Sequence, residues 1–141
     1  LTTEDMARDH IRWAHGSLRE AGEALRRKDY PRTVRRAQEC VELSVKAVLR
    51  ALGVEYPKEH DVSDVLRDLH IDLPSWFEDA LPRIADIMAK ITPQRGPAMY
   101  GIEGQLKPAG VIFSREDALR AFVDAEFVYG QCSKFLEDWF R

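Results

Sequence analysis

The stretch Tyr30-Pro31-Arg32-Thr33-Val34-Arg35-Arg36-Ala37-Gln38-Glu39-Cys40-Val41-Glu42-Leu43-Ser44-Val45-Lys46-Ala47-Val48-Leu49-Arg50-Ala51-Leu52-Gly53 decides the fold. Val34, Gln38, Val41, Val45, Val48 and Leu52 recur at helical spacing, so one side of this segment is apolar. Cys40, Leu43 and Ala47 make the opposite side apolar as well. A helix that is apolar on most sides is buried on most sides, so this one belongs at the centre of a bundle or in a subunit interface. Pro31 suits the first turn, where its missing N–H costs nothing, and Gly53 suits the residue just past the end.

The flanking segments are helical by the same criterion. A first helix should start near Thr3, with Glu4 and Asp5 at its positive N-terminal end. Its apolar stripe reads Met6, Trp13, Ser17, Ala21 and Ala24, and it should fray at Lys28-Asp29. A short helix follows with Asp61 as its cap and Val62, Val65, Leu66 and Leu69 facing inward. Ser75 can cap a further helix carrying Phe77, Leu81, Ile84, Met88 and Ile91, with Pro82 as a candidate kink. Ser114-Arg115-Glu116-Asp117 resembles a capping box and opens a last helix with the stripe Ala118, Ala121, Phe122, Ala125, Tyr129, Cys132, Leu136, Trp139 and Phe140. No segment shows the alternation of a strand. The expected fold is all-α: an up-and-down four-helix bundle with one additional short helix, forming a single domain over residues 1–141.

Between these helices, residues 92–113 contain Pro93, Gly96, Pro97, Gly101, Gly104, Pro108 and Gly110. A continuous helix is excluded there. A connection this long is uncommon in a compact domain unless it has a function.

Composition narrows the class. Apolar residues make up 45% and charged residues 32%, which is globular usage. The net charge of −3 gives no overall field toward nucleic acid or an anionic membrane, so such contacts need a local patch. No apolar run is long enough to cross a bilayer, and no membrane partner is expected. Leu1-Thr2-Thr3-Glu4-Asp5 lacks the basic start and apolar stretch of a signal peptide, which makes the expected location cytoplasmic. Cys40 and Cys132 sit in apolar patterns and read as buried free thiols. His10, His60 and His70 show no metal-ligand spacing. No glycine loop followed by Lys-Ser or Lys-Thr is present. No metal and no cofactor is expected.

Two groups of residues stand out as chemistry. Arg26, Arg27, Lys28, Arg32, Arg35 and Arg36 place six basic residues within eleven, around Tyr30, at a helix–helix turn. Gathered at one end of the bundle, they can bind phosphates by releasing counterions. Gln38, Glu42 and Lys46 follow one another at four-residue spacing along one edge of the second helix. Glu42 and Lys46 can pair there, or the three can form the wall of a polar cleft.

Several pieces together resemble the HEPN domain (higher eukaryotes and prokaryotes nucleotide-binding). They are Tyr30-Pro31, Ala37-Gln38-Glu39-Cys40-Val41-Glu42, Lys46-Ala47-Val48-Leu49, Leu52-Gly53, His60-Asp61-Val62, Arg95 to Tyr100-Gly101 and the alanine-rich last helix. The resemblance implies a helical bundle that pairs two-fold as a homodimer. It also implies one of two functions. Some members are metal-independent RNases, often toxins; others are non-catalytic partners, for instance of a minimal nucleotidyltransferase. The RNases carry Arg, four to six residues, then His. Here Arg95 is followed, after four residues, by Tyr100, and no His occurs after His70. A tyrosine hydroxyl holds its proton at neutral pH and is a poor general base. A formal Arg-to-His match, Arg8 with His15, lies in the first helix, where the family does not place its motif.

The expected function is therefore a non-catalytic interaction module. It would bind a nucleotide, RNA or a partner protein through Arg95, Tyr100, Gln38, Glu42 and Lys46. The alternative is a metal-independent, toxin-like RNase using Arg95 with Tyr100. Either way, Arg95 and Tyr100 should lie near Glu42 or Gln38.

Overall fold

A computed structural model describes residues 1–102 and 105–141. Glu103 and Gly104, part of the 92–113 connection, lie outside the described residues. The elements in chain order are α1 (Thr3–Arg26), α2 (Tyr30–Ala51), α3 (Ser63–Arg67), α4 (Ser75–Ile91), a 3-10 turn (Thr92–Gln94), α5 (Arg95–Tyr100), α6 (Ala109–Ile112) and α7 (Arg115–Trp139). Among the described residues there is no strand, only an isolated bridge between Ile102 and Lys107. None of the described helices is long and apolar enough to cross a membrane.

Local chemistry sets the helix ends. Thr2 and Ser114 open α1 and α7 with capping boxes closed by Asp5 and Asp117. The Asp29 carboxylate accepts the Arg32 N–H at the start of α2. At the other end of α2, Gly53 N–H donates to Arg50 O and Val54 N–H to Leu49 O, the paired bonds of a Schellman ending. Gly53 takes φ +70° there. Two predicted caps shift by one residue. Pro74 rather than Ser75 flanks α4. Val62 flanks α3, while Asp61 holds the Ser63 N–H at 2.9 Å. The α4 helix runs through Pro82 to Ile91.

α2 is the centre of the bundle. It packs on α1 along one side and on α7 along the other, and α4 and α5 cover its remaining apolar surface. Val34, Ala37, Cys40, Val41, Val45, Ala47, Val48 and Leu49 are all fully buried. Both apolar faces of α2 are thus covered within the chain. The two-fold pairing then rests on the family resemblance alone.

Ser17, Ala21 and Ala24 of the expected α1 stripe are buried, but in the first half of the helix the stripe is displaced by one residue, from Met6 and Trp13 to Ala7 and Ala14. Ala7, Ala14, Ser17, Ala21 and Ala24 face inward, and Trp13 is 59% exposed. The small side chains let α1 approach α2 closely, and one residue of register turns a helix by about 100°. In α7, Val128 and Phe135 join the core, whereas Trp139 is 40% exposed. Phe135 stacks on Phe77 of α4 with ring centroids 4.4 Å apart. Burial pushes the Cys40 thiol up to about 12 and raises that of Cys132 further. Both thiols are packing groups.

The 92–113 connection is the main correction. Its first nine residues continue the path of α4 as a 3-10 turn and α5, so Arg95 stands on a helix rather than a loop. The prolines do not prevent this. Pro93 and Pro97 fall in first turns, where backbone N–H groups have no helical partner. The path breaks at Gly101, with φ +73°. A Cβ there would meet the Lys107 carbonyl and would come within 3.0 Å of Ala109 N and Pro108 Cα. A glycine is what allows the chain to fold back and lay α6 beside α5.

Candidate functional site: the polar edge of α2

One edge of α2 carries Arg35, Gln38, Glu42, Lys46 and Arg50, each about one turn from the next. Arg35 Nη1 donates to Gln38 Oε1 at 3.4 Å. Gln38, only 1% exposed, donates from Nε2 to Glu42 Oε1 at 2.9 Å. Lys46 Nζ donates to Glu42 Oε2 at 3.0 Å and to the Glu59 carbonyl at 2.6 Å. Arg50 Nε donates to the Tyr56 hydroxyl at 3.1 Å. The predicted trio is therefore one hydrogen-bonded chain. Burial raises the Glu42 carboxyl, but hydrogen bonds from Lys46 and Gln38, the Lys46 charge and a bond from His60 outweigh it, and Glu42 sits below its ordinary range.

The sequence reading missed His60 as a member of this edge. Its Nδ1 lies 3.1 Å from Glu42 Oε1 and 3.3 Å from Oε2. The residues are eighteen apart and one is in a loop, so no periodic signal links them.

At the other end of the edge the polar groups are not closed. Arg35 has a side chain only 16% exposed, and its nearest anion is Glu39, with Nη1 to Oε2 at 3.5 Å. Its Nε is buried and has no hydrogen-bond partner among the described residues. Burial lowers the Arg35 guanidinium from its ordinary value, and the next cause is the positive charge of Arg95. The α5 helix thus brings a second guanidinium to the first. Arg95 makes no ion pair among the described residues.

A groove of about 340 Å³ opens beside Arg35, lined by Asp29, Arg32, Arg35 and Arg36 at the start of α2 and by α5 and α6 residues such as Ala98 and Ala109 opposite; Arg95 does not line it. The basic run therefore divides. Arg32, Arg35 and Arg36 line the groove, Arg32 near Asp29 at 3.4 Å and Arg36 held at 3.0 Å by both Glu20 and Glu39. Arg26, Arg27 and Lys28 stay at the α1–α2 turn, outside the groove lining. Tyr100, the last residue of α5, is 70% exposed and takes no part in the hydrogen bonds of the edge. Arg95 makes no hydrogen bond to Gln38 or Glu42 among the described residues; its charge acts on Arg35, which donates to Gln38. The formal pair in α1 is dispersed: Arg8 binds Glu4 at 3.1 Å, and His15 packs on Tyr129 with ring centroids 5.4 Å apart.

A buried guanidinium N–H without a partner, beside a second positive charge, is an arrangement that an anion with several oxygens can satisfy. A phosphate matches the planar donor fork of arginine and offsets the repulsion between the two charges.

Known proteins place this architecture. The HEPN domain pattern matches residues 7–135. A protein of Methanocaldococcus jannaschii named "Putative toxin MJ1304" is 32% identical, over 91% of this chain and 86% of that one. The crystal structure of TT1696 from Thermus thermophilus superimposes with a TM-score of 0.66 at 27% identity, covering 91% of this chain and 96% of that one. ST0689, an archaeal HEPN homologue, shares the fold with a TM-score of 0.62 at 21% identity, over 92% and 97% of the two chains. With the family pattern spanning nearly the whole bundle, from α1 well into α7, this chain belongs to the HEPN domain family.

Proposed function

We propose that this HEPN chain binds RNA through backbone phosphates at Arg35 and Arg95, and that it does so without efficient cleavage. The observation that carries the reading is the buried, unpartnered Nε of Arg35 beside the Arg95 charge. A buried donor without a partner costs stability, and a ligand that supplies the acceptor recovers that cost. Arg32 and Arg36 add further guanidiniums to the groove, each beside a carboxylate that a phosphate would have to compete with. Tyr100 stands where the RNases of the family have histidine. A tyrosine there can donate to a phosphate or stack on a base, but it does not exchange a proton readily near neutral pH.

Binding is tested by fluorescence anisotropy with a short unstructured RNA across a salt series. Arg35→Gln and Arg95→Gln should each weaken binding by on the order of tenfold and reduce the salt slope by about one. Unchanged affinity in both variants would sink the reading.

The toxin name of the methanocaldococcal relative favours a second reading, a metal-independent RNase using Arg95 with Tyr100. RNA incubated with the protein in EDTA separates the two. We expect no robust cleavage by the parent chain. Cleavage abolished by Arg95→Ala would overturn the non-catalytic reading and establish the RNase.

A further inference from the structure

Both apolar faces of α2 are covered within the chain, but the outer face of α1 carries an uncovered aromatic. Trp13 is 59% exposed in the first half of a 24-residue helix whose buried side is made mostly of alanines. Exposure alone is ordinary for a single side chain. Trp13, however, stands beside a second groove of about 340 Å³, lined also by Gly16, Ser17 and, from α2, Leu43. A glycine inside a helix is less favourable than alanine, and nothing in the chain requires one at position 16. A Cβ there would meet no atom within 4 Å. At Gly22 the reason is visible, since a Cβ would come within 3.2 Å of the Phe122 ring. Gly16 thus leaves the backbone of α1 open to close approach from outside, one turn from an aromatic that has no room inside.

The charges on this face match themselves. Arg12 and Glu20 are both exposed and stand four residues before and after Gly16, each about 6 Å from it along the axis. When a second α1 crosses the first antiparallel at Gly16, two-fold symmetry sets Arg12 of each copy against the partner's Glu20. A parallel pair would set Arg12 on Arg12 and Glu20 on Glu20. Asp9 and Glu23 are the like-charged positions seven residues either side of Gly16. They lie about 10 Å from the crossing, where helices packed at an angle have diverged.

We propose that two copies of this chain pair through α1, antiparallel and crossing at Gly16, with Trp13 of each reaching into the partner's groove and Arg12 of each facing the partner's Glu20. The pairing goes beyond the RNA reading and does not depend on it.

The test is sedimentation equilibrium at tens of micromolar, where the parent chain should be a dimer. Trp13→Glu should weaken association by on the order of thirtyfold, the effect of losing an aromatic anchor at an interface. Gly16→Gln should weaken it as well, with helical circular dichroism and melting temperature kept or raised, because its Cβ meets nothing in the chain. Arg12→Glu and Glu20→Arg should each weaken pairing, and the double exchange should restore it. That rescue has no source within the chain, where Arg12 pairs with Asp9 and Glu20 with Arg36. A monomeric parent, or a dimer that Trp13→Glu and Gly16→Gln leave intact, would overturn the proposal. A double exchange that stays as weak as the single variants would overturn it too, by removing the antiparallel register.

Discussion

At one end of the polar edge of α2, Glu42 takes hydrogen bonds from Gln38, Lys46 and His60. At the other end, Arg35 keeps a buried nitrogen without a partner among the described residues and has Arg95 beside it. The two ends lie on the same helix face, about two turns apart. Around Glu42 the donors converge on one acceptor, as buried polar groups in folded proteins generally do. Around Arg35 the donors outnumber the acceptors. The closed end satisfies its polar groups within the chain and the open end does not; on the proposed reading RNA completes it, and that contrast can be attacked from either side.

The largest effect is expected at the closed end. Glu42→Ala removes the acceptor shared by Gln38, Lys46 and His60, and Gln38 is too buried to turn to water. The loss should be about 2–3 kcal/mol of unfolding free energy near neutral pH, read by urea or thermal denaturation. The pH dependence has a definite sign. Glu42 is held below the ordinary glutamate value of 4.5, so the folded state favours its ionised form. Its ionic contribution is fully present above that value and is lost as pH falls through the lowered one. The gap between the parent and Glu42→Ala should therefore narrow in acid. A gap that widens below about pH 4 would contradict the assignment of the ionised carboxylate.

The open end should respond in the opposite direction. Arg35→Met keeps most of the apolar stem and removes both the orphaned nitrogen and the repulsion with Arg95. Stability should rise by less than about 1 kcal/mol, because the bond lost to the buried Gln38 Oε1 offsets part of that relief, while RNA affinity falls. A variant that loses stability and affinity together would show that the two ends are built alike, with Arg35 a structural member of the edge.

How far this contrast could be read in advance follows from the kind of signal each part carries. The α2 helix was legible because its apolar residues recur on two faces and its ends are marked by Pro31 and Gly53. The capping box at Ser114 is a local pattern, and the Gln38–Glu42–Lys46 row is visible as helical spacing, whereas the matching box at Thr2 appears only in the structure. The path from Thr92 to Tyr100 was hidden because Pro93 and Pro97 read as helix breakers, although each occupies a first turn. Trp13 draws the α1 stripe toward the largest side chain, whereas alanines decide that face. The meeting of Arg35 with Arg95, and of Glu42 with His60, depends on how α5 and the α2–α3 loop fold back. Spacing within one helix cannot encode a contact between two segments. The candidate residues other than His60 could be named one by one, and their division into a closed and an open end came only with the fold.

The smallest expected effect concerns Lys28, and it sharpens the contrast by comparing the ends of α1 and α2. Both helices finish in the same arrangement. After α2, Gly53 N–H bonds Arg50 O and Val54 N–H bonds Leu49 O. After α1, Lys28 N–H bonds Leu25 O at 3.0 Å and Asp29 N–H bonds Ala24 O at 2.9 Å. The residue in the left-handed position is glycine in the first case, at φ +70°, and lysine in the second, at φ +63°. A side chain is disfavoured in that conformation because Cβ crowds the following carbonyl. Lys28 belongs to the basic run at the α1–α2 turn, outside the groove, and makes no ion pair among the described residues. If its charge helps to draw in RNA, a lysine in this strained place has a reason beyond folding. Lys28→Gly should then raise stability by about 1 kcal/mol and weaken RNA binding slightly, with a lower salt slope. Lys28→Ala should remove the same charge without the gain in stability, so the pair separates backbone strain from electrostatics. Equal RNA affinity in the parent and both variants would leave the open end to Arg35, Arg95 and the groove arginines alone.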